Sequence, residues 1–294
     1  MIPAAFEYES PRTLDEALRL VERHGDEAKV LAGGHSLLPL MKLRLASPRY
    51  VIDIGRVKGL DAIREEGDRI AIGALVTHAA VAGSKLLQDK CPLMPETAMA
   101  IGDVQVRNRG TIGGSLAHAD PAADYPATIL ALDAEMVAAS SSGKRTIKAR
   151  EFFVDMLTTA LRPGEILTEI RVPVFAARTG ASYQKLHQPA SGFALVGAAA
   201  RVVLGANGQI DDVALGVTGL GSKGYRAEAV EKALRGKKAD ANTLAAAAAH
   251  TAEDVDALND IHASAEYRKE MAAVYARRAL EAAVKNAGGK GKKA

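Results

Sequence analysis

Two Gly-Gly pairs, Gly33-Gly34 and Gly113-Gly114, constrain the fold of this 294-residue chain more than any other feature. Paired glycines let the backbone turn and let a ligand approach without a Cβ in the way. Successive N–H groups in such a turn form an anion-binding nest. Small hydroxyl residues flank both pairs, namely Ser36, Thr111 and Ser115, and neither segment contains a lysine. One pair alone is typical of a tight turn, whereas two converging pairs indicate a pyrophosphate site.

The pattern up to residue 57 predicts a compact β-α-β-α-β unit. Thr13 and Glu16 have capping-box spacing before an amphipathic run, and Gly25 ends that run. The elements predicted from apolar spacing and capping residues are a helix over 13–25, a strand over 28–32, a helix over 37–45 with Ser36 as N-cap, and a strand over 49–54.

The pattern changes from residue 58 and again near residue 177. Residues 58–176 predict strands at 69–73, 134–139, 145–149 and 165–172, helices at 77–84, 92–101 and 121–132, and a glycine-rich loop at 110–115. Residues 177–286 predict a separate α+β domain, with strands at 194–204 and 213–218 before helices near 225–235, 240–254 and 265–285. The Lys- and Gly-rich residues 287–294 are predicted to be a disordered basic tail.

Composition excludes several classes of function. The net charge of +3 argues against a dedicated binder of nucleic acid. The single cysteine, Cys91, excludes an intrachain disulfide and an iron–sulfur cluster held by this chain alone. The histidines show no metal-ligand spacing, and no residue group resembles a catalytic site. No apolar stretch approaches about twenty residues, so we expect a cytoplasmic protein without a signal peptide or membrane span.

Five segments carry a family resemblance. Leu31 to Leu45 and Thr111 to Ser115 resemble the two FAD loops in the medium subunit of aerobic carbon monoxide dehydrogenase. The segments Asp120-Pro-Ala-Ala-Asp124-Tyr-Pro, Gly164 to Pro173 and Tyr183-Gln-Lys185-Leu are similar to that subunit as well. The resemblance extends over nearly the whole chain, and more distantly to the flavin domain of xanthine dehydrogenase.

The resemblance implies an α+β fold of two parts. The first is a bipartite FAD-binding domain of the vanillyl-alcohol-oxidase (PCMH) type over 1–176, with subdomains at about 1–57 and 58–176. The second is a smaller α+β domain over 177–286, like that of the carbon monoxide dehydrogenase flavoprotein. Carried over by position, it implies FAD contacts at Ala32, Gly33, Gly34, His35, Ser36, Ile101, Thr111, Ile112, Gly113, Gly114, Ser115, Asp124, Leu167 and Lys185.

The resemblance also implies roles for two of these residues. Asp124 would accept hydrogen bonds from hydroxyls of the ribityl–ribose region, and Lys185 would stabilise negative charge on the reduced flavin. The residues themselves leave open a helix-terminal charge for Asp124 and a solvated strand position for Lys185. In some flavin oxidases a histidine in a loop like that of His35 bonds covalently to the flavin, whereas this resemblance points to non-covalent FAD.

A medium subunit works only with partner chains. The resemblance implies a small subunit with two [2Fe–2S] clusters and a large molybdenum subunit, assembled as a dimer of heterotrimers. It implies no catalytic or metal-ligating residue in this chain. Ser115 stands where many relatives have asparagine, and residues 189–192 replace a charged stretch, which weakens any assignment of carbon monoxide as the substrate.

Three other interpretations compete with the electron-relay subunit. Gly219-Leu-Gly221-Ser-Lys-Gly224 fits a dinucleotide-binding pattern, although Asp240 begins a helix where the ribose-binding acid would end a strand. A free-standing FAD-dependent oxidase or dehydrogenase would turn over alone. A scaffold that has lost flavin would purify colourless. His118 and Asp120, two residues apart, are interpreted as shaping a loop and not as an acid–base pair.

Overall fold

The computed structural model describes residues 1–289, which begin with a small parallel sheet. Its elements are β1 (Glu7–Glu9), α1 (Leu14–His24), β2 (Ala28–Leu31), α2 (Leu37–Lys42) and β3 (Tyr50–Asp53). The strand order is β1-β3-β2, and both pairings are parallel. Thr13 caps α1 by accepting a hydrogen bond from the Glu16 N–H, and Gly25 ends it at φ 49°. The predicted order of elements is therefore confirmed.

A five-stranded sheet follows, with helices packed against it. Its elements, in chain order, are β4 (Ile63–Glu66), β5 (Arg69–Gly73), α3 (His78–Gly83), α4 (Lys85–Lys90), α5 (Leu93–Met99), α6 (Val104–Arg109), α7 (Ile112–His118), α8 (Tyr125–Ala131), β6 (Glu135–Ser140), β7 (Gly143–Lys148), α9 (Ala149–Phe152), β8 (Phe153–Asp155), β9 (Thr158–Thr159) and β10 (Ile166–Pro173). The order β4-β5-β10-β6-β7 is antiparallel throughout, and β8 pairs with β9 as a separate ribbon.

The third layer is an antiparallel sheet covered by a long helix. Its elements are β11 (Thr179–His187), β12 (Ala194–Leu204), β13 (Ile210–Thr218), β14 (Tyr225–Arg226), α10 (Glu228–Leu234), α11 (Ala241–Ala248) and α12 (Ala265–Gly289). Buried alanines at 272, 276, 279 and 283 form one face of α12, which packs on β11 and β12. Spacing of three and four residues places them on one side of a helix, and their small size lets it lie close to the sheet.

Elements that the sequence pattern did not predict include β4, α4, α6 and β11. The two helices have six residues each, too few to show a helical period, and Ser84 and Asp103 cap them. The buried half of β11 is Thr-Gly-Ala-Ser-Tyr, which contains no apolar run. The predicted tail differs too, because residues 287–289 continue α12 and residues 290–294 lie outside the described residues. Within residues 1–289, no helix is both long and apolar enough to cross a membrane.

Candidate functional site

The two Gly-Gly segments meet in space at the junction of the first two sheets. A Cβ on Gly33 would overlap the Arg109 carbonyl oxygen and would lie 2.9 Å from Gly110 Cα. A Cβ on Gly114 would lie 3.7 Å from Ala32 Cβ. Glycine is therefore needed at position 33 so that the backbone before the second pair can approach the first.

The first segment links β2 to α2. Gly34 has φ 80°, a left-handed conformation that glycine adopts without strain. Ser36 occupies the predicted N-cap position, but its hydroxyl makes no capping bond, and α2 ends at Lys42 and not at the predicted residue 45. The Ser36 hydroxyl is thereby left to face the cleft between the two segments. His35 faces the same cleft, with Nδ1 3.1 Å from the Gly33 carbonyl oxygen.

The second segment is helical. The prediction that residues 110–115 form a loop with an anion-binding nest is therefore wrong. Thr111 is the N-cap of α7, and its Oγ1 accepts from the Gly114 N–H at 3.1 Å. The N–H groups of Ile112, Gly113 and Ser115 donate to the carbonyl oxygens of Val76, Ala74 and Thr111. Because these N–H groups are already bonded, this segment offers a ligand bare glycine surface and hydroxyls instead of a nest.

Between the segments lies a cleft of about 460 Å³. This volume lies within the range of about 300–1,000 Å³ typical of cofactor and ligand sites. Twelve of the fourteen predicted FAD contacts line it, namely Ala32, Gly33, Gly34, His35, Ser36, Ile101, Thr111, Gly113, Gly114, Ser115, Asp124 and Leu167. The structure therefore brings together residues that are distant in sequence, as a shared ligand site requires.

Ile112 and Lys185 are the two predicted contacts that do not line the cleft. The Ile112 side chain is fully buried among the core residues of the second sheet. Lys185 lies behind Asp124, where its Nζ bonds the Ala100 carbonyl oxygen at 2.9 Å and Asp124 Oδ2 at 3.0 Å. Its side chain is 7% exposed, so the solvated-strand interpretation is wrong.

Asp124 is a buried carboxylate at one wall of the cleft, 5% exposed. Besides the ion pair with Lys185, its Oδ1 accepts a hydrogen bond of 2.5 Å from the Tyr183 hydroxyl. Burial raises the pKa of the Asp124 carboxyl above its ordinary value, while Lys185 and Tyr183 act in the opposite direction. Asp124 also stands at the N-cap position of α8, as the helix-terminal-charge alternative expected, although its side chain makes no capping hydrogen bond.

Several cleft residues were missed by the sequence reasoning. Phe193, in the connection from β11 to β12, is 45% exposed and lines the cleft. An aromatic side chain left in solvent is an unusual use of apolar surface, and a ligand's apolar face would cover it. Tyr183 was missed although it stands in a quoted motif, because its contact with Asp124 joins two domains. Asp120 Oδ1 accepts from the Ala122 N–H, so it does shape its loop as predicted.

His78 is a buried histidine that lines the cleft and supports both segments. A Cβ on Gly110 would lie 2.6 Å from its Nε2, so the ring packs directly beneath the residue that contacts Gly33. Within residues 1–289, its Nδ1 has no hydrogen-bond partner, and its ring lies 5.4 Å from that of Tyr125. Burial, with smaller contributions from the charges of His35 and Arg107, lowers the pKa of His78 from 6.5 to about 4.

The lowered pKa of His78 predicts acid sensitivity. Between pH 6.5 and about 4 the unfolded chain binds a proton that the folded chain does not, so stability falls as the pH falls. The full loss is about 3 kcal/mol in the free energy of unfolding. The free energy of unfolding, measured with denaturant at several pH values, should fall less steeply on acidification in His78→Gln than in the native chain. His250→Gln, at an exposed position, should keep the native slope, and equal slopes for all three would refute the assignment.

The glycine pattern at 219–224 has no dinucleotide-binding structure around it. It lies between β13 and β14, which pair antiparallel. A dinucleotide fold needs a parallel β-α-β unit at this point. Within residues 1–289, no group of three or more His, Cys, Asp or Glu side chains is placed to hold a metal ion.

Comparisons with known proteins agree with this geometry. Residues 4–175 match the family described as the FAD binding domain in molybdopterin dehydrogenase, and residues 181–283 match the CO dehydrogenase flavoprotein C-terminal domain. The carbon monoxide dehydrogenase medium chain of Hydrogenophaga pseudoflava is 40% identical over 96% of this chain and 98% of its own length. The 6-hydroxypseudooxynicotine dehydrogenase complex subunit alpha of Paenarthrobacter nicotinovorans is 38% identical over 98% and 97%.

Solved structures give the same result. A chain of the Hydrogenophaga pseudoflava carbon monoxide dehydrogenase that lacks the Mo-pyranopterin moiety superposes with a TM-score of 0.95 at 41% identity. The match covers 97% of this chain and 99% of that one. The two family-model matches of this chain and its full-length similarity to medium chains identify its family. This chain therefore belongs to the family of FAD-binding subunits of the molybdopterin dehydrogenases.

Proposed function

We propose that this chain holds FAD non-covalently in the cleft and relays electrons between partner subunits and an external acceptor. Bound FAD supplies the redox chemistry, by taking electrons from iron–sulfur clusters and giving them to the acceptor. The protein supplies position and electrostatics. The observation that carries the proposal is the cleft itself, in which two remote glycine segments, Asp124 and an exposed aromatic side chain meet.

The residues present fit FAD. Gly114 leaves the space beside Ala32 free of side-chain atoms, as close approach of a pyrophosphate requires, and Gly33 lets the backbone of Arg109 and Gly110 close against the first segment. Hydroxyls of Ser36, Thr111 and Ser115 border that space and supply hydrogen bonds without a lysine. Ile101 and Leu167 contribute apolar wall on the second sheet's side. The bipartite arrangement suits a long ligand with a polar centre and apolar ends.

We further propose that this chain is the medium subunit of a cytoplasmic dimer of heterotrimers. A small subunit with two [2Fe–2S] clusters would donate electrons, and a large molybdenum subunit would oxidise the substrate. Two relatives are nearly equally identical to this chain in sequence, yet one is named as a carbon monoxide dehydrogenase subunit and the other as a 6-hydroxypseudooxynicotine dehydrogenase subunit. Such variation among relatives is expected of a subunit that has no substrate pocket of its own.

The docking surface that we propose for the iron–sulfur subunit is the rim segment, residues 37–46. Leu37, Leu40 and Ala46 of this segment line the cleft. Leu43 and Leu45 point outward and are 52% and 73% exposed. Large apolar side chains exposed beside a ligand cleft are typical of a protein contact surface. Because the rim segment is continuous with the cleft wall, a partner seated there brings its cluster close to the flavin.

Native co-purification tests both proposals. The chain should emerge with two partner subunits, molybdenum, iron and about one FAD, and acid precipitation should release the flavin into the supernatant. The Leu43→Glu/Leu45→Glu variant should keep its FAD and bind the small subunit about thirtyfold more weakly, which is about 2 kcal/mol. Ile261→Glu is the matched control, because Ile261 is an apolar residue that is 95% exposed and lies outside the rim segment.

The outcomes separate the proposals. A double-glutamate variant that retains its partners at the native ratio would show that the rim segment is not the docking surface. A native chain that purifies without partner subunits and metals would contradict the relay function. Flavin that remains on the acid-denatured protein would make the linkage covalent, and His35 would be the residue to examine.

A further inference from the structure

Two side chains from the third layer reach across to hold Asp124. Tyr183 and Lys185 are two residues apart on β11, so they project from the same face of the strand. The Tyr183 hydroxyl donates to Asp124 Oδ1 at 2.5 Å, and Lys185 Nζ lies 2.8 Å from the same oxygen. All three side chains are buried, yet Asp124 lines the cleft. The third layer therefore helps to build a wall of the FAD site.

The sheet is shaped to admit the tyrosine hydroxyl. Gly197 on β12 lies opposite Lys185 in the strand register. A Cβ on Gly197 would overlap the Tyr183 hydroxyl oxygen and would lie 3.1 Å from Tyr183 Cζ. The absence of a side chain at position 197 creates the space in which the hydroxyl meets the carboxylate. Tyr183 and Gly197 thus act as one unit, although no motif in the sequence links them.

We infer that Tyr183 is a positioning residue for the FAD site: with Gly197 making room for it, its hydroxyl holds the Asp124 carboxyl group aimed at the cofactor. This inference rests on the proposed binding of FAD in the cleft. A carboxylate accepts hydrogen bonds more strongly than a neutral acid, and each fixed donor on its inner side directs its remaining lone pairs toward the cleft. The hydroxyl thereby acts on FAD through Asp124 without touching it.

The charges around Asp124 determine how FAD affinity depends on pH. Burial raises the pKa of the Asp124 carboxyl, whereas the Lys185 charge and the hydrogen bonds from Lys185 and Tyr183 lower it. Loss of the Tyr183 hydroxyl therefore raises that pKa further, and Asp124 takes up a proton at a higher pH. Other titratable groups nearby are Tyr125 on α8, Glu96 on α5, and the cleft-lining residues His35, His78, His118, Asp120 and Glu165.

The test is FAD binding by the full-length chain after removal of its flavin. Quenching of flavin fluorescence gives the Kd at pH values from roughly 5 to 9, which spans carboxyl and imidazole titration. Tyr183→Phe should raise the Kd about tenfold at neutral pH, equivalent to about 1.4 kcal/mol. Its loss of affinity on acidification should also begin at a higher pH than in the native chain.

Tyr225→Phe is the matched control. Tyr225 is also a largely buried tyrosine, and its hydroxyl donates to the Thr251 carbonyl oxygen at 2.7 Å within the third layer. This variant loses one buried hydroxyl and its hydrogen bond but leaves Asp124 untouched. Its Kd for FAD and its pH profile should match those of the native chain. A merely structural role for Tyr183 would make the two phenylalanine variants behave alike.

Gly197→Ala provides a second route to the same change. Its methyl group should displace the Tyr183 hydroxyl and reproduce the shifted pH profile in a chain that keeps every polar side chain. In the Tyr183→Phe background the alanine should add far less than its separate effect, because both changes remove the same hydrogen bond. Fully additive effects would contradict the proposed unit.

The outcomes distinguish this inference from the proposed function. Tyr183→Phe and Gly197→Ala chains that bind FAD with the native Kd and pH profile would overturn the positioning role and leave FAD binding intact. A native chain that shows no saturable quenching would overturn the proposed function itself. Should Tyr183→Phe fail to fold by circular dichroism, Gly197→Ala alone decides the question.

Discussion

Gly114→Val is expected to abolish FAD binding in a chain that stays folded. The added Cβ would lie 2.8 Å from Thr111 Oγ1 and 3.7 Å from Ala32 Cβ, so the branched side chain fills the gap between the two glycine segments. It also crowds the Thr111 hydroxyl that caps α7. We expect at least a hundredfold loss in FAD affinity, about 2.7 kcal/mol. The ratio of flavin absorbance to protein absorbance in the purified variant measures this directly.

Gly83→Val is the control for this change. Gly83 is likewise a helical glycine, at the end of α3, and an added Cβ there would meet nothing within 4 Å. It should therefore lower helix stability slightly and leave flavin content at the native level. Full flavin occupancy in a folded Gly114→Val chain would count against the shared cradle between the segments.

Gly114 also shows how far the sequence argument reached. Its motif predicted close approach of a ligand, and the structure places the residue at the cleft. The accompanying expectation of a loop is wrong, because Gly114 is a helical residue of α7. The sequence alone does not distinguish a glycine in the first turn of a helix from a glycine in a loop. Only the hydrogen bonds of Thr111 and Ala74 distinguish them.

Local elements were predictable where capping residues and apolar spacing coincide. Thr13, Gly25 and the apolar residues of β2 predicted the first unit, strands β5, β6 and β12 contain apolar runs, and β10 has apolar residues interrupted by polar ones. Strand β11 has no apolar run, and the small and polar residues at its start are buried under the alanine face of α12. Such burial is decided by the partner helix a hundred residues away, so no local pattern encodes it.

The environment of Asp124 and Lys185 could not be predicted from the sequence either, because it depends on contacts between residues that are distant in the chain. Each was assigned a separate role toward the flavin, whereas the structure pairs them with each other. Removing Asp124 would therefore strand a buried lysine charge, which costs about 3–5 kcal/mol, more than the loss of one hydrogen bond. The contact with Tyr183 spans 59 residues and two sheets, so only the tertiary fold reveals it.

Electron entry from the partner is the second large expected effect. The FAD of this chain should be bleached within the turnover time of such enzymes, typically on the order of 1–1,000 per second, when it meets the pre-reduced small iron–sulfur subunit. The rim segment and the cleft place the site at the surface that we propose a partner covers. Alone, the chain should keep its yellow colour for minutes with a substrate that bleaches the native complex, because we propose that the substrate is oxidised on the large molybdenum subunit.

Stopped-flow mixing of the FAD-loaded chain with the pre-reduced small subunit, freed of excess reductant, tests this relay most directly. An unrelated [2Fe–2S] ferredoxin of similar potential and the Leu43→Glu/Leu45→Glu chain serve as controls. The account predicts fast bleaching at 450 nm with the native pair (roughly the flavin absorption maximum, set by the cofactor) and slow bleaching in both controls. Bleaching of the isolated chain by substrate at the rate of the complete complex would contradict it and favour a free-standing oxidase.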